Sequence, residues 1–152
     1  MTPYRFPLQT VLDIRSNEEG QAREAYGKAA RLMEEFNQRR LEVEASIEAN
    51  LDECRRETSQ PTSSGRVAQL RQMLEALRDK LKAMQPEAEV LQAALDERWA
   101  ILVKARQKRE ALDKLQDRKR EEHERESVRA EQKGLDEMIT LREASRGSTW
   151  ML

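Results

Sequence analysis

Side chains that could bind a metal ion or a cofactor are few in this chain and lie far apart. It contains one histidine, His123, and one cysteine, Cys54, in 152 residues. A metal site needs roughly three or four converging ligands, and a single histidine is more often a surface residue than a ligand. The five glycines are isolated, so no glycine-rich loop could hold a phosphate group. These residues predict a protein without a cofactor or a metal site.

Catalysis by nucleophilic or acid–base side chains is not indicated either. A Ser-His or Cys-His pair works only in a rigid, concave site. The adjacent pairs Glu18–Glu19 and Glu34–Glu35 are typical of charges on a helix surface. We therefore predict that the chain is not an enzyme and that its function depends on surfaces and partners.

The compartment is indicated by the cysteine and by the apolar runs. Cys54 is the only cysteine and cannot form a disulfide within the chain, which is typical of a protein in a reducing compartment. No stretch approaches the ~20 apolar residues that span a bilayer. Residues 1–7 contain no apolar run of signal-peptide length. These features predict a cytoplasmic protein.

The elements that position the side chains are indicated by an apolar seam that repeats in steps of four and three residues. Such a repeat is the stripe along which one helix packs against another. On the N-terminal side the seam holds Leu8, Leu12, Ala22, Tyr26, Ala29, Met33, Phe36, Val43, Ile47 and Cys54, with Arg15, Glu19, Arg40 and Asn50 as exceptions. On the C-terminal side it holds Val67, Leu70, Leu74, Leu77, Leu81, Met84, Ala88, Leu91, Leu95, Leu102, Ala105 and Leu112, with Arg98 and Arg109 as exceptions. Charged residues make up 38% of the chain and aromatic residues 4%, which suits a helical pair with a narrow core better than a globular core.

The seam is interrupted once, where Pro61 and Gly65 lie among serines and threonines and stop a helix. We predict an all-α fold, a long antiparallel two-helix coiled-coil hairpin with an overhanging C-terminal helix. The whole chain, 1–152, is expected to be one domain, with helix one over about 7–58, a loop over 59–65, helix two over about 66–146 and a frayed tail over 147–152.

Pro86 lies inside the second predicted helix. A proline there removes one backbone hydrogen bond and clashes with the preceding turn. Because the seam keeps its phase on both sides, we predict a kink near Pro86. A break into separate short helices within 66–86 is the alternative.

Folding the chain back at the loop predicts a register for the two seams. The aligned pairs are Cys54–Leu70, Ile47–Leu77, Val43–Leu81, Phe36–Ala88, Met33–Leu91, Ala29–Leu95, Ala22–Leu102 and Leu12–Leu112. Tyr26 falls opposite Arg98, so this cation is expected over the ring. Helix one reaches its start near Gln116, and helix two is expected to continue for about 30 residues, or ~45 Å, without a partner.

Charge is balanced overall but not along the chain. The net charge is −1, whereas residues 101–120, here called the basic stripe, carry eight basic and three acidic side chains. Residues 121–152 carry five basic and eight acidic side chains. The basic stripe is either a solvated helix face or a docking surface for an acidic protein. It lacks the interleaved aromatic residues of a nucleic-acid site, so no nucleic-acid partner is expected.

Both ends of the chain carry recognisable motifs. The opening reads Tyr4-Arg5-Phe6-Pro7-Leu8-Gln9-Thr10-Val11-Leu12-Asp13-Ile14-Arg15, followed by Glu18-Glu19. The closing part holds Leu112-Asp113-Lys114-Leu115, Arg118-Lys119-Arg120-Glu121-Glu122, Glu131-Gln132-Lys133 and Leu135-Asp136-Glu137. In order and spacing these motifs resemble the flagellar type III export protein FliJ family over essentially the whole chain. His123 departs from the pattern, since an aromatic residue is more usual there.

The resemblance implies a fold similar to the coiled-coil part of a rotary ATPase central stalk. It also implies a cytoplasmic, non-enzymatic protein that sits in the hexameric ring of the export ATPase, contacts the cytoplasmic domain of the export gate and binds export chaperones. Association with the membrane would be peripheral and only through these partners. We expect a monomer, although a seam does not say whose helix it meets, so a pair of extended chains stays open.

Two surfaces are candidates for these partners. The candidate ring contacts are Arg106, Arg109, Arg118, Arg120, Glu131, Gln132, Leu135 and Asp136. The candidate gate contacts lie off the seam near the loop and are Leu41, Leu51 and Met73; ordinary flank packing is the alternative for them. Other functions also remain open: the equivalent stalk of an injectisome, and a helical-hairpin chaperone or scaffold that holds apolar clients.

Overall fold

The computed structural model describes residues 2–60 and 64–149, and nearly all of them lie in two long α-helices. Helix α1 spans Gln9–Thr58 and has 50 residues, and helix α2 spans Ser64–Thr149 and has 86 residues. The two helices pack against each other, and the described residues form no strand. The predicted all-α helical hairpin is confirmed.

The helix ends differ slightly from the expected ones. Helix α1 begins at Gln9 and not at Pro7, because residues 2–6 are not helical and the Gln9 amide closes a turn on the Phe6 carbonyl oxygen at 3.1 Å. Helix α2 begins at Ser64, two residues before the expected start, and continues to Thr149. The expected frayed tail is therefore wrong for residues 147–149, which are helical. Residues 61–63 of the expected loop and residues 150–152 of the tail lie outside the described residues.

Helix α2 continues through Pro86 without interruption. The alternative of separate short helices within 66–86 is therefore wrong. A continuous helix tolerates this residue although the proline nitrogen cannot donate to the carbonyl oxygen of Lys82, one turn earlier. A change in helix direction at Pro86 stays a prediction.

One of the two compact units of the chain comprises Glu19–Lys104, which is the loop end of the hairpin. Its core holds Phe36, Val43 and Met84, with Met33, Ile47, Leu81, Ala88 and Leu91 packed against them. The Arg39 guanidinium pairs with the Glu87 carboxylate at 2.8 Å, two residues from the position predicted opposite Arg39. The antiparallel register therefore agrees with the seam alignment across this core.

The expected cation over the Tyr26 ring is wrong in detail. The Tyr26 ring instead contacts the ring of Trp99, the residue next to Arg98, with centroids 5.3 Å apart. The position along α2 is thus correct to one residue, and the aromatic neighbour takes the place of the guanidinium. Since Trp99 is still half exposed, this aromatic pair lies on the surface of the unit.

The other unit comprises residues 1–18 and 105–152. Residues 2–8, here called the N-terminal segment, lie along α2. The Tyr4 ring contacts the His123 ring with centroids 5.4 Å apart, and His123 Nε2 lies 3.2 Å from the Thr2 carbonyl oxygen, which accepts its hydrogen bond. Phe6 is buried, and Gln116 Nε2 donates to Gln9 Oε1 at 3.2 Å.

The part of α2 without a partner in this unit is shorter than expected. The overhang was predicted to start near Gln116, but the N-terminal segment covers α2 as far as His123. The periodicity of α1 did not reveal this cover, because the N-terminal segment is not helical. Every side chain from Val128 to Gly147 is exposed. These residues are here called the distal segment.

Candidate partner-binding surfaces

The distal segment presents an exposed mixture of charged and apolar side chains. Four of the predicted ring contacts, Glu131, Gln132, Leu135 and Asp136, lie on it and are all exposed. Its large apolar side chains are Val128, Leu135, Met138, Ile139 and Leu141, each more than half exposed. A helix that exposes so many large apolar side chains carries a surface that water does not favour. The segment is therefore the strongest candidate surface in its unit.

The basic stripe divides into two parts by its ion pairs. Arg106 pairs with Glu110 at 2.9 Å, and the half-buried Arg109 pairs with Asp113 at 2.6 Å, both one turn along α2. Such pairs contribute only about 0.3–0.5 kcal/mol each to a helix. Both arginines are thus partly engaged by their own helix, as the solvated-face alternative requires.

The C-terminal end of the basic stripe is different. Arg118 and Arg120 are exposed, and neither forms an ion pair with any residue that the structure describes. Lys119 between them pairs with Glu122 at 3.4 Å. Although Glu122 and Glu124 lie one turn along α2 from them, neither guanidinium is engaged by a carboxylate of its own helix, so both can pair with a carboxylate of another protein without breaking an existing ion pair. Of the four predicted arginines, these two fit a docking role best.

An apolar groove of about 580 Å³ lies between α1 and α2 near the loop. It is called the loop-end groove, and its lining includes Ala49, Leu70, Met73, Ala76 and Leu77, with Glu53, Arg66 and Lys80 at its polar edge. Arg66 and Glu53 form an ion pair between the two helices there. The groove thus combines an apolar floor with a fixed polar edge.

The three predicted gate residues are not brought together. Met73 lines the loop-end groove and is half exposed, whereas Leu41 and Leu51 are not part of that lining. Leu41 is more than half exposed, and Leu51 is half-buried. Of the three, only Met73 therefore belongs to the loop-end groove.

Two features of these surfaces were not found from the sequence. The N-terminal segment packs on His123, and the Tyr4 hydroxyl is buried without a hydrogen-bond partner among the described residues. Asn50, which interrupts the seam, is buried beside the loop-end groove. The available sequence signals were the aromatic residues Tyr4 and Phe6 before α1 and the amide of Asn50 on the apolar seam. The spacing of these residues does not identify the residues that they contact.

The described residues contain no group of three or more His, Cys, Asp or Glu side chains that could hold a metal ion. No helix within residues 2–60 and 64–149 is both long enough and apolar enough to cross a membrane.

A family model described as flagellar FliJ protein matches residues 4–148. This range includes the N-terminal segment, both helices and the distal segment. No curated protein and no solved structure matches the chain.

Proposed function

The chain belongs to the flagellar FliJ family, and we propose on that basis that it is the stalk that inserts into the ring of the flagellar export ATPase. Members of this family are non-enzymatic, export-related stalk proteins of the flagellum. The finer parts of the proposal are the ring, the gate and the chaperones as partners. We also propose that the chain itself has no catalytic activity and works in the cytoplasm, peripheral to the membrane through its partners.

One observation carries the ring proposal: α2 continues beyond His123 as a helix whose side chains from Val128 to Gly147 are all exposed. A single helix with its side chains is about 10–12 Å wide, which suits a narrow lumen. A helix whose side chains are exposed also keeps them accessible to another protein. The distal segment would therefore enter the ring.

The ring contacts follow from charge and exposure. Arg118 and Arg120 would meet acidic side chains of the ring, and Glu131 and Asp136 would meet basic ones. Gln132 and Leu135 would add a polar and an apolar contact between these groups. Arg106 and Arg109 contribute less, because each already pairs with a carboxylate of α2.

The loop end would contact the cytoplasmic domain of the export gate. Met73, which lines the loop-end groove, is the contact that the structure supports best, and Leu41 and Leu51 would add apolar contacts outside that groove. With the distal segment in the ring, one chain would couple the nucleotide state of the ATPase to the gate. Export chaperones would bind exposed apolar side chains of the two helices. No nucleic-acid partner is proposed.

The test measures how the chain stimulates the purified export ATPase. A chain ending after Ser127 keeps the contacts of His123 with Tyr4 and Thr2 and should stay folded, yet it should lose the stimulation. In the full chain, Arg118→Glu with Arg120→Glu should reduce the stimulation. Arg78→Glu with Lys82→Glu, which reverses two exposed charges of α2 near the loop, serves as the matched control. Full stimulation by the shortened chain would refute the ring proposal.

A second candidate function is a helical-hairpin chaperone or scaffold for apolar clients. The loop-end groove, with its apolar floor, is the observation that favours it. This function predicts client binding in the absence of the ATPase, and Met73→Asp should abolish that binding. The injectisome alternative is less supported, because the family model that matches the chain is the flagellar one.

A further inference from the structure

The distal segment carries an ordered stripe on one side of α2. Val128, Glu131, Leu135, Met138 and Arg142 are separated by three, four, three and four residues. At about 100° per residue, these side chains fall within an arc of about 80°. The stripe thus repeats the four-three pattern that packs one helix along another. It does so on side chains that remain exposed, since Val128, Leu135 and Met138 are 55%, 60% and 58% exposed.

The order of charges along this stripe is complementary to that of a second copy of the same helix running in the opposite direction. Read from the N-terminal side, the stripe presents an acidic residue, Glu131, then the apolar pair Leu135 and Met138, then a basic residue, Arg142. If a second helix with the same sequence lies antiparallel, each Glu131 faces an Arg142 and each Leu135 faces a Met138. If it lies parallel, Glu131 faces Glu131 and Arg142 faces Arg142, which is repulsive.

We propose that two copies of this chain associate through this stripe, as an antiparallel pair of distal segments with its two-fold axis between Leu135 and Met138. Two Leu135–Met138 contacts form the centre, and two Glu131–Arg142 ion pairs flank it. The symmetry makes every contact occur twice, as in an isologous dimer interface. The stripe is self-complementary in its four-three spacing and in its charges, so a second copy of this chain can provide all of these contacts.

The extent of the stripe sets the strength of this association. From Val128 to Arg142 the helix is about 21 Å long. A contact between two single helices of that length lies below the ~1,200 Å² of a stable standard interface. The pairing is therefore weak and reversible, and it is populated only in concentrated solution or where chains accumulate.

The pairing has a functional consequence for ring binding, although self-association itself can be tested without the ring. It covers Glu131 and Leu135, which are two of the proposed ring contacts. A chain in the self-associated state would therefore be withheld from the ring until it dissociates. Glu131 belongs to both proposals, whereas Arg118 and Arg120 belong only to ring binding and Arg142 only to self-association, so failure of one proposal leaves the other testable.

The experiment is sedimentation equilibrium of the full chain between ~10 µM and ~1 mM, the range in which small interfaces associate. The average mass should rise from the monomer value towards the dimer value. Glu131→Arg and Arg142→Glu should each weaken the association at least ~10-fold, because each places like charges opposite one another. The double variant E131R/R142E restores opposite charges at both pairs and should recover the association to within ~3-fold.

Matched controls reverse charges on the other side of the same helix. Lys133→Glu and Glu137→Arg lie about 160° from Leu135 around α2, and neither should change the association. Circular dichroism should show the same helix content for all variants, since every changed side chain is exposed. A chain that stays monomeric over the whole range would overturn the proposal. A double variant as weak as the single variants, or controls that weaken the association equally, would also overturn it.

Discussion

Asn50 donates a hydrogen bond from its side-chain Nδ2 to the backbone carbonyl oxygen of Leu70, 3.1 Å away across the two helices. Both residues are buried. The Cys54 thiol in turn donates to Asn50 Oδ1 at 3.5 Å. A buried asparagine on a seam specifies alignment at some cost in stability, because a shifted register would leave its amide without a partner. This contact therefore fixes the two helices next to the loop.

Replacing Asn50 by alanine should lower the free energy of unfolding by about 1–2 kcal/mol, since a buried hydrogen bond and its packing are lost. Urea denaturation measures the change. Asn17→Ala, an exposed position on the same helix, serves as the control and should stay within about 0.5 kcal/mol of the parent. Equal effects at the two positions would show that the contact with Leu70 contributes nothing.

Phe36→Ala should cause the largest single loss of stability. The Phe36 side chain is 1% exposed in the core of the Glu19–Lys104 unit, and the Arg39 guanidinium lies 5.5 Å from its ring centroid. Removing a buried phenylalanine costs about 3–5 kcal/mol, which is a large part of the stability of a small domain. Leu32→Ala, a change at a half-exposed position on the same helix, should cost under about 1 kcal/mol. The denaturation midpoints of the two variants should therefore differ clearly, and similar midpoints would argue against this core.

Phe6→Ala should loosen the N-terminal segment without affecting the loop end. Phe6 is buried where the segment lies along α2. Without it the contacts of Tyr4 and Thr2 with His123 should open more often, because local opening is limited by buried apolar contacts. Hydrogen exchange should become at least ~10-fold faster in residues 116–123 and stay unchanged in residues 36–47. Val11→Ala, at an exposed site nearby, is the control, and uniform acceleration along the chain would contradict the prediction.

Pro86→Ala should stabilise the protein. Pro86 is exposed and lies inside a continuous helix. Alanine restores the backbone donor towards Lys82 and removes the ring clash, and proline is about 3 kcal/mol less favourable than alanine in a helix interior. Since the surrounding structure has adapted to the proline, a gain of about 1–3 kcal/mol in the free energy of unfolding is expected. A loss of stability on denaturation would mean that the proline conformation is required by packing against α1.

The parts of the fold that follow a period were predictable from the sequence. Phe36, Val43 and Leu81 were placed on the seam by spacing alone, and they form or contact the core. The contacts of Asn50 and His123 were not predictable, because each depends on a particular partner and not on a repeat. His123 meets Thr2, which is 121 positions away, through a non-helical segment that is too short to show a period.

The candidate surfaces were predictable only in part. Exposure of the distal segment followed from the predicted overhang of helix two, whereas the cover on His123 did not, so the expected start of the overhang was wrong. Arg106, Arg109, Arg118 and Arg120 each have a carboxylate four residues later, yet only Arg106 and Arg109 pair with theirs, so the sequence spacing could not separate the two groups. Contact of any of these residues with the ring or the gate stays a prediction.

Exposure of the distal segment also has a thermodynamic consequence. A short helix in water is marginal, because starting it is unfavourable and each added residue gains little. Here the start is supplied by the packed part of α2, so the segment needs only elongation and should shorten from its C-terminal end as temperature rises. A partner that binds the distal segment far from His123 must therefore stabilise helical turns that are unfolded part of the time. The affinity of such a partner should fall more steeply with rising temperature than the affinity of a partner that binds a rigid surface.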